Sequence, residues 1–329
     1  MALSSPRAAA VQLLLLTSSA GLPRRAAAAA APVLAAGGQC AAPSSWAPRR
    51  TLTAACAAGS LSRTMATSAA AEGVLQIERV PCLSDNYSWL LHEPAAGVTA
   101  VVDPAEVAPV VEALRAKGWK LTHILNTHHH FDHVGGNEAL KAQFGATIVG
   151  PAADAGRIPG IDVQLKDGDR YQLGAAELVC YDTPGHTRGH VTYHFPTSKA
   201  LFPGDTLFSL GCGRLFEGTP AQMWTSLSKF AGLPEDTRVF CAHEYTQSNA
   251  RFAMHVDGDN ADLQRMAADI DAKRAAGQPT VPSLLGDERK CNPFLRPSSP
   301  AIREKLGVAP GASDAEAFGA IRSAKDTFR

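Results

Sequence analysis

Acidic residues are missing from the first 71 positions. The first is Glu72, whereas Arg7, Arg24, Arg25, Arg49, Arg50 and Arg63 all precede it. The segment is otherwise rich in Ala, Ser and Thr, with no sustained strand or helix pattern. Its apolar run, Val11–Leu16, is far too short to span a bilayer. A secretory signal would not need Arg residues continuing so far past that run. A basic, hydroxyl-rich, acid-free leader has the composition of an organellar transit peptide. Residues 1–71 are therefore expected to be a disordered targeting segment, for the mitochondrion or alternatively the chloroplast. Met65 offers a second start that would leave the product in the cytosol.

A Cys-x-x-Cys pair is also lacking. Of seven cysteines, Cys40 and Cys56 lie in the leader, and Cys82, Cys180, Cys212, Cys241 and Cys291 form an odd remainder. They read as five reduced thiols, which excludes a disulfide framework and a Cys-type zinc site. Net positive charge is missing once the leader is set aside. Its six Arg reduce 31 basic residues to 25, against 31 acidic ones, so the body carries about −6. No nucleic-acid partner is expected on that ground, nor is a membrane. An anionic substrate would need a local basic patch.

From Gly73 onward, short apolar strand candidates dominate: Val74–Val80, Val98–Val102, Leu121–Leu125, Ala146–Val149, Leu178–Tyr181, Val191–Phe195, Ala200–Phe202 and Arg238–Cys241. Helical patterns lie between some of them, at Val107–Lys117, Asn137–Phe144 and Gln222–Phe230, the last behind Thr219-Pro220. Past Thr246 strand signals stop and helical stretches separated by Pro-rich loops take over. Ser313 with Glu316 marks the start of the last helix as a capping box. The pattern predicts a mixed α/β domain over 72–246 and a smaller helical domain over 247–329.

The chemistry concentrates in Thr127-His128-His129-His130-Phe131-Asp132-His133-Val134-Gly135-Gly136-Asn137. On an extended segment alternate residues project to one side, so His128, His130 and Asp132 can converge while His129 points elsewhere. His133, entering a helix, approaches from another angle. Imidazole and carboxylate suit borderline divalent metals, and four such groups in six residues exceed the needs of one structural site. Three later segments each follow a strand candidate: Thr183-Pro184-Gly185-His186, Phe202-Pro203-Gly204-Asp205 and Cys241-Ala242-His243. They add two imidazoles and a carboxylate able to bridge two cations.

In these motifs the chain resembles the metallo-β-lactamase superfamily, whose H-x-H-x-D-H signature stands as His128, His130, Asp132 and His133. Within it the chain is most similar to the glyoxalase II (hydroxyacylglutathione hydrolase) family, over Gln76 to Phe328. That similarity includes Asp85-Asn86-Tyr87, Asn292-Pro293-Phe294 and Lys325-Asp326. The resemblance implies an α/β fold, an αββα sandwich with a C-terminal helical domain. It implies two divalent ions per chain, zinc first, with iron or manganese as alternatives. The first ion would take His128, His130, His186 and Asp205, and the second Asp132, His133, His243 and the same Asp205. Asp132 would also orient the attacking water. The implied reaction is hydrolysis of a glutathione thioester by a monomer, without a protein nucleophile.

Two carboxylates on such a substrate call for cations beside the metals. Arg322 and Lys325 lie three apart on the capped last helix and share a face. The resemblance adds Tyr245, Arg214 and Phe216 as substrate-binding residues. Arg214 stands where Lys is usual in the family, and Phe216 where Tyr often is, so a hydroxyl donor is lost. The competing expectations are a mononuclear-iron persulfide dioxygenase of the same superfamily and a metal-binding scaffold without turnover.

Overall fold

The computed structural model describes residues Gly73–Phe328; the leader, with Cys40, Cys56, Met65 and the targeting expectation, lies outside the described residues. Six strands build the first sheet in chain order: β1 (Gln76–Cys82), β2 (Asn86–Glu93), β3 (Val98–Val102), β4 (His123–Leu125), β5 (Thr147–Pro151) and β6 (Val163–Leu165). Its first three strands pair antiparallel and the rest parallel. Helices α1 (Val107–Lys117), α2 (Phe131–Val134) and α3 (Asn137–Phe144) make the crossovers from β3 to β4 and from β4 to β5.

The second sheet contains β7 (Arg170–Leu173), β8 (Ala176–Asp182), β9 (Val191–Phe195) and β10 (Ala200–Phe202). A hairpin of β11 (Leu207–Phe208) and β12 (Gly211–Cys212) follows, and then β13 (Arg238–Val239) and β14 (Ser283–Leu284) complete that sheet in the order β14-β13-β10-β9-β8-β7. The remaining helices are α4 (Pro220–Ser228), α5 (Thr246–Asp257), α6 (Ala261–Ala275), α7 (Leu285–Cys291), α8 (Pro300–Lys305) and α9 (Asp314–Thr327).

Side-chain alternation along the strands sorts the core into layers. Trp89, Leu91, Val102, Leu125 and Val149 of the first sheet meet Leu178, Tyr193, Phe195 and Phe202 of the second. The intervening residues Leu90, Val101, Ile124 and Ile148 face outward and pack on Val110 and Leu114 of α1 and Leu140 of α3. On the far side Leu201 and Val239 pack under Met223, Leu227, Phe252, Phe318 and Ile321. The result is the αββα sandwich that the resemblance implies. Ser313 Oγ accepts from the Glu316 amide at 3.3 Å while Glu316 takes the Ser313 amide at 2.7 Å, the reciprocal cap expected for α9.

Two departures have clear causes. Strand β2 gave no alternating signal because almost every residue in it is buried, including Asn86, Ser88 and Glu93. Strand signals do not end at Thr246 either. Ser283–Leu284 returns from the helical region to pair with β13, in a strand too short to register as a pattern.

Candidate active site

Each metal-binding candidate lies just beyond the end of a strand: His128 to His133 after β4, His186 after β8, Asp205 after β10 and His243 after β13. The two sheets are joined there by the Tyr87 amide, which donates to the Ala242 carbonyl at 2.7 Å. All seven residues come together. His130 Nδ1 stands 3.1 Å from His128 Nε2 and 3.0 Å from His186 Nε2. Three nitrogens about 2.0–2.1 Å from one tetrahedral ion stand roughly 3.3 Å apart, so the spacing suits a shared cation. On the other side, Asp132 Oδ2 lies 3.5 Å from both His133 Nε2 and His243 Nε2. Asp205 faces both groups. Its Oδ1 is 3.4 Å from His133 Nε2 and His243 Nε2, and its Oδ2 is 3.4 Å from His186 Nε2.

Partners behind the ligands fix where their lone pairs point. His186 Nδ1 donates to the Arg214 carbonyl at 2.8 Å, His133 Nδ1 pairs with Asp103 at 3.0 Å, and His243 Nδ1 pairs with Asp85 at 2.9 Å. A carbonyl can only accept, so His186 Nε2 must present its lone pair to the cluster. Asn86 Nδ2 donates to Asp132 Oδ2 at 3.0 Å, leaving the other face of that carboxylate free for the site. Buried His133 Nε2 and Asp205 Oδ1 have no hydrogen-bond partner among the described residues. Such orphaned atoms are costly unless something else satisfies them, and a cation would. The residues present therefore fit divalent-metal binding.

Electrostatics agree with that fit. Burial pushes His128 far down, helped by its neighbouring imidazoles, and takes His130 down to about 4. Both rings are thus neutral, as metal ligands must be. Burial also opposes charge on His133, but Asp205, Asp103 and Asp132 outweigh it and raise its pKa to about 9. For Asp205 burial acts upward, yet His243, His133 and His186 hold the carboxyl well below the usual range. The carboxylates thus favour positive charge at this point, proton or cation alike.

Residues outside the sequence reading complete the frame. Asp103 accepts from the Thr127 amide at 2.8 Å and from its hydroxyl at 2.7 Å while holding His133. Its φ of 48° is a left-handed conformation unusual for Asp. His190 Nε2 accepts from the Asp205 amide at 3.0 Å, so His190 orients the bridging candidate without joining the ligands. Gly204 (φ 48°) admits no side chain, since a Cβ would meet Thr127 Oγ1 at 2.3 Å. Asp103 ends a β-branched strand, where functional loops of α/β folds begin; that was the available signal. His129 turns away, as alternation predicts, and its Nδ1 meets Asp154 at 2.9 Å.

A cavity of about 520 Å³ opens from His186 and Asp205 and is also lined by Arg214, Phe216, Tyr245, Arg322 and Lys325. Phe216, 62% exposed, sets its ring edge-on to His186, with centroids 5.1 Å apart. Tyr245 stacks on His243 at 4.6 Å and 5°. Arg322 is built into the wall of this cavity. It is 6% exposed, donates to the Cys212 carbonyl at 2.9 Å, pairs with Asp326 at 2.8 Å and lies over the Phe294 ring. Lys325 is the freer cation, held only by Ser248 at 3.2 and 3.3 Å. Burial lowers its pKa, and Arg322, Arg251 and Arg214 lower it further, which is what an anion-binding pocket does to its lysine.

The Asn292-Pro293-Phe294 motif acts at this same wall. Asn292 Nδ2 donates to the Phe208 and Gly211 carbonyls at 3.2 and 3.0 Å, and buried Glu288 accepts from the Leu210 amide at 2.8 Å. Together they pin the β11/β12 hairpin that leads from Asp205 to Arg214. The five cysteines among the described residues are unpaired and buried, as expected of reduced thiols. No helix among those residues is long and apolar enough to cross a membrane.

Sandwich and ligand geometry together define a metallo-β-lactamase-fold protein with a divalent-cation site. Residues 85–243 match the metallo-β-lactamase superfamily, and residues 244–328 match the hydroxyacylglutathione hydrolase C-terminus. The chain is 57% identical to the hydroxyacylglutathione hydrolase of Methylococcus capsulatus, over 78% of this chain and 100% of the relative. It is 53% identical to that of Maricaulis maris, over 77% and 99%. It belongs to the hydroxyacylglutathione hydrolase family. Two solved structures share the fold alone. The BLEG-1 B3 metallo-β-lactamase has a TM-score of 0.52 and 21% identity, over 67% of this chain and 100% of the other. ETHE1 from Myxococcus xanthus has a TM-score of 0.53 and 23% identity, over 76% and 98%.

Proposed function

We propose that the chain hydrolyses S-(2-hydroxyacyl)glutathione thioesters, typically S-D-lactoylglutathione, to the 2-hydroxy acid (D-lactate) and glutathione. This reaction is the second step of methylglyoxal detoxification. One observation carries the reading: a single cavity is lined both by His186 and Asp205 and by three cationic side chains, Arg214, Arg322 and Lys325. A thioester with an anionic tripeptide tail needs both.

The two ligand sets would hold two divalent ions, zinc first, and Asp205 would serve both. When bound, such ions acidify a water and polarise a carbonyl oxygen. His128, His130 and His186 supply neutral nitrogens to the first set, and Asp132, His133 and His243 serve the second. Asp132 keeps its Asn86 bond and offers its remaining oxygen sites to orient the attacking water. Arg214, Lys325 and the buried Arg322 attract the tripeptide carboxylates, and Phe216 and Tyr245 flank the thioester. The thiol of glutathione leaves as a stable anion, so no side chain need form a covalent intermediate. The helical region from about 247 onward is assigned the substrate-binding role, the chain acts as a monomer, and residues 1–71 direct it to the mitochondrion.

Hydrolysis of S-D-lactoylglutathione, followed by elemental analysis of the same preparation, tests this directly. Turnover with close to two ions per chain supports it. One iron with persulfide oxidation favours the dioxygenase reading, and two ions without turnover favour the scaffold. A fluorescent fusion of residues 1–71 that stays cytosolic removes the targeting assignment.

A further inference from the structure

Asp154 has no part in the chemistry described so far, yet it is 1% exposed beside the metal ligands. It closes a 3-10 turn, Ala152–Asp154, directly after β5. Its Oδ2 takes His129 Nδ1 at 2.9 Å, and its Oδ1 pairs with Arg157 Nη2 at 2.5 Å. The same carboxylate fills the space over Gly189, where a Cβ would come within 2.1 Å of Oδ1. His129 sits between His128 and His130 in sequence, and Gly189 lies three residues past His186. One buried carboxylate therefore bears on both loops that deliver the three imidazoles of the first ligand set.

Arg157 extends the contact. Its guanidinium reaches Glu217 at 2.5 and 3.1 Å, and Glu217 accepts the Arg188 amide at 2.8 Å. Main-chain bonds from Phe216 to His186 (3.3 Å) and from Gly218 to Gly185 (3.0 Å) join these loops further. The second set is held by different groups: Asp103 behind His133, Asp85 behind His243 and Asn86 behind Asp132. Asp103 also takes the Thr127 amide and hydroxyl beside His128 and so serves both sets, whereas the contacts of Asp154 fall on the loops of the first set.

We propose that Asp154 is a positioning residue for the first ligand set alone, aligning His128, His130 and His186 through the His129 and Gly189 loops. The proposal rests on the two-ion reading above. Groups behind metal ligands typically contribute 10- to 100-fold in metal affinity. A residue that merely stabilised the fold would shift both sites together, so the discriminating readout is the pair of stepwise binding constants.

The test reloads metal-free full-length protein with zinc in competition with a chromophoric chelator. Asp154→Asn, which removes a group one residue away from the ligands, should weaken one of the two steps by about tenfold, the low end of that range, and leave the other within about threefold. Arg157→Gln, at a side chain 39% exposed and so tolerant of change, should weaken the same step by a smaller factor. It carries the test if Asp154→Asn does not fold. The set is assigned by double-mutant cycles. In a His130→Ala background Asp154→Asn should cost nothing further, whereas in a His243→Ala background it should still weaken the remaining ion. Equal weakening of both steps, no weakening of either, or a full additional loss in the His130→Ala background overturns the proposal while the two-ion reading stands. A wild type that takes one ion overturns both.

Discussion

Lys325 is where the glutathione assignment can be tested with least disturbance to the fold. Arg322 is a poor choice, because its loss would free the Cys212 carbonyl and uncover Phe294. Lys325 has only the two long bonds to Ser248, and its ammonium lies 5.6 and 5.8 Å from the Phe252 and Phe328 rings. Lys325→Met keeps a side chain of similar length on those rings and removes the charge alone. A hydrogen bond to a charged group contributes about 1.5–3 kcal/mol. Partial exposure of Lys325 and the nearby guanidiniums, which can attract the same carboxylate, place the loss at the low end. About 1.4 kcal/mol is one decade, so KM for S-D-lactoylglutathione should rise about tenfold. The charge is remote from the ligand cluster and acts on ground state and transition state alike, so kcat should stay within about twofold. Steady-state kinetics following loss of thioester absorbance read both constants. Raising ionic strength should narrow the difference between variant and wild type. An unchanged KM, or a kcat that falls at constant KM, would refute the placement of the tripeptide at Lys325.

Asp205→Ala should lose both ions by elemental analysis, since its two oxygens face different ligand sets; retention of one ion at full occupancy would contradict the bridging role. At saturating metal, His129→Ala should keep both ions and His130→Ala should lose one, so equal losses would undo the alternation argument. Glu217 gives a pH test. The Arg157 guanidinium holds its carboxyl down to about 2, against a burial effect and aided by the Arg188 amide. A folded pKa below the unfolded value of about 4.3 contributes stability that is present above the unfolded value and lost as pH falls through about 2. The Tm gap between wild type and Glu217→Gln should therefore hold steady near neutrality and close between about pH 4 and pH 2. A gap independent of pH would show that the ion pair is not its source.

Legibility in the sequence followed the kind of signal each residue leaves. The clustering of the candidate ligands was readable because His and Asp crowd into one short motif and recur after later strand candidates. Val98–Val102, Val191–Phe195 and Ala200–Phe202 were readable to the residue because β-branched or aromatic runs end at polar turns. β2 was not, because its polar residues are buried with its apolar ones and erase the period. Asp103, Asp154 and His190 act through other groups and left no pattern of their own, and a single Asp after a strand looks like any turn residue; Asp85 entered only through the Asp85-Asn86-Tyr87 similarity. The place of Arg322 on the last helix was readable, but its burial was not. Helical spacing says which residues share a face, not whether that face is covered, and here the Cys212 loop covers it.

The pin formed by Glu288 and Asn292 limits how this chain could be cut or recombined. A boundary drawn near residue 246 invites removal or exchange of the part beyond it. Removing everything beyond it would strip β14 from Val239 and leave β13 as a bare sheet edge. It would also strand the buried Leu210 amide without its acceptor, in a residue already at a φ of 55°. That hairpin starts two residues after Asp205, so the damage would pass directly to the position between the two ligand sets. Any graft of a new specificity region onto this sandwich must carry its own counterpart of residues 283–292, or the recipient will lose cation affinity before it gains a new substrate.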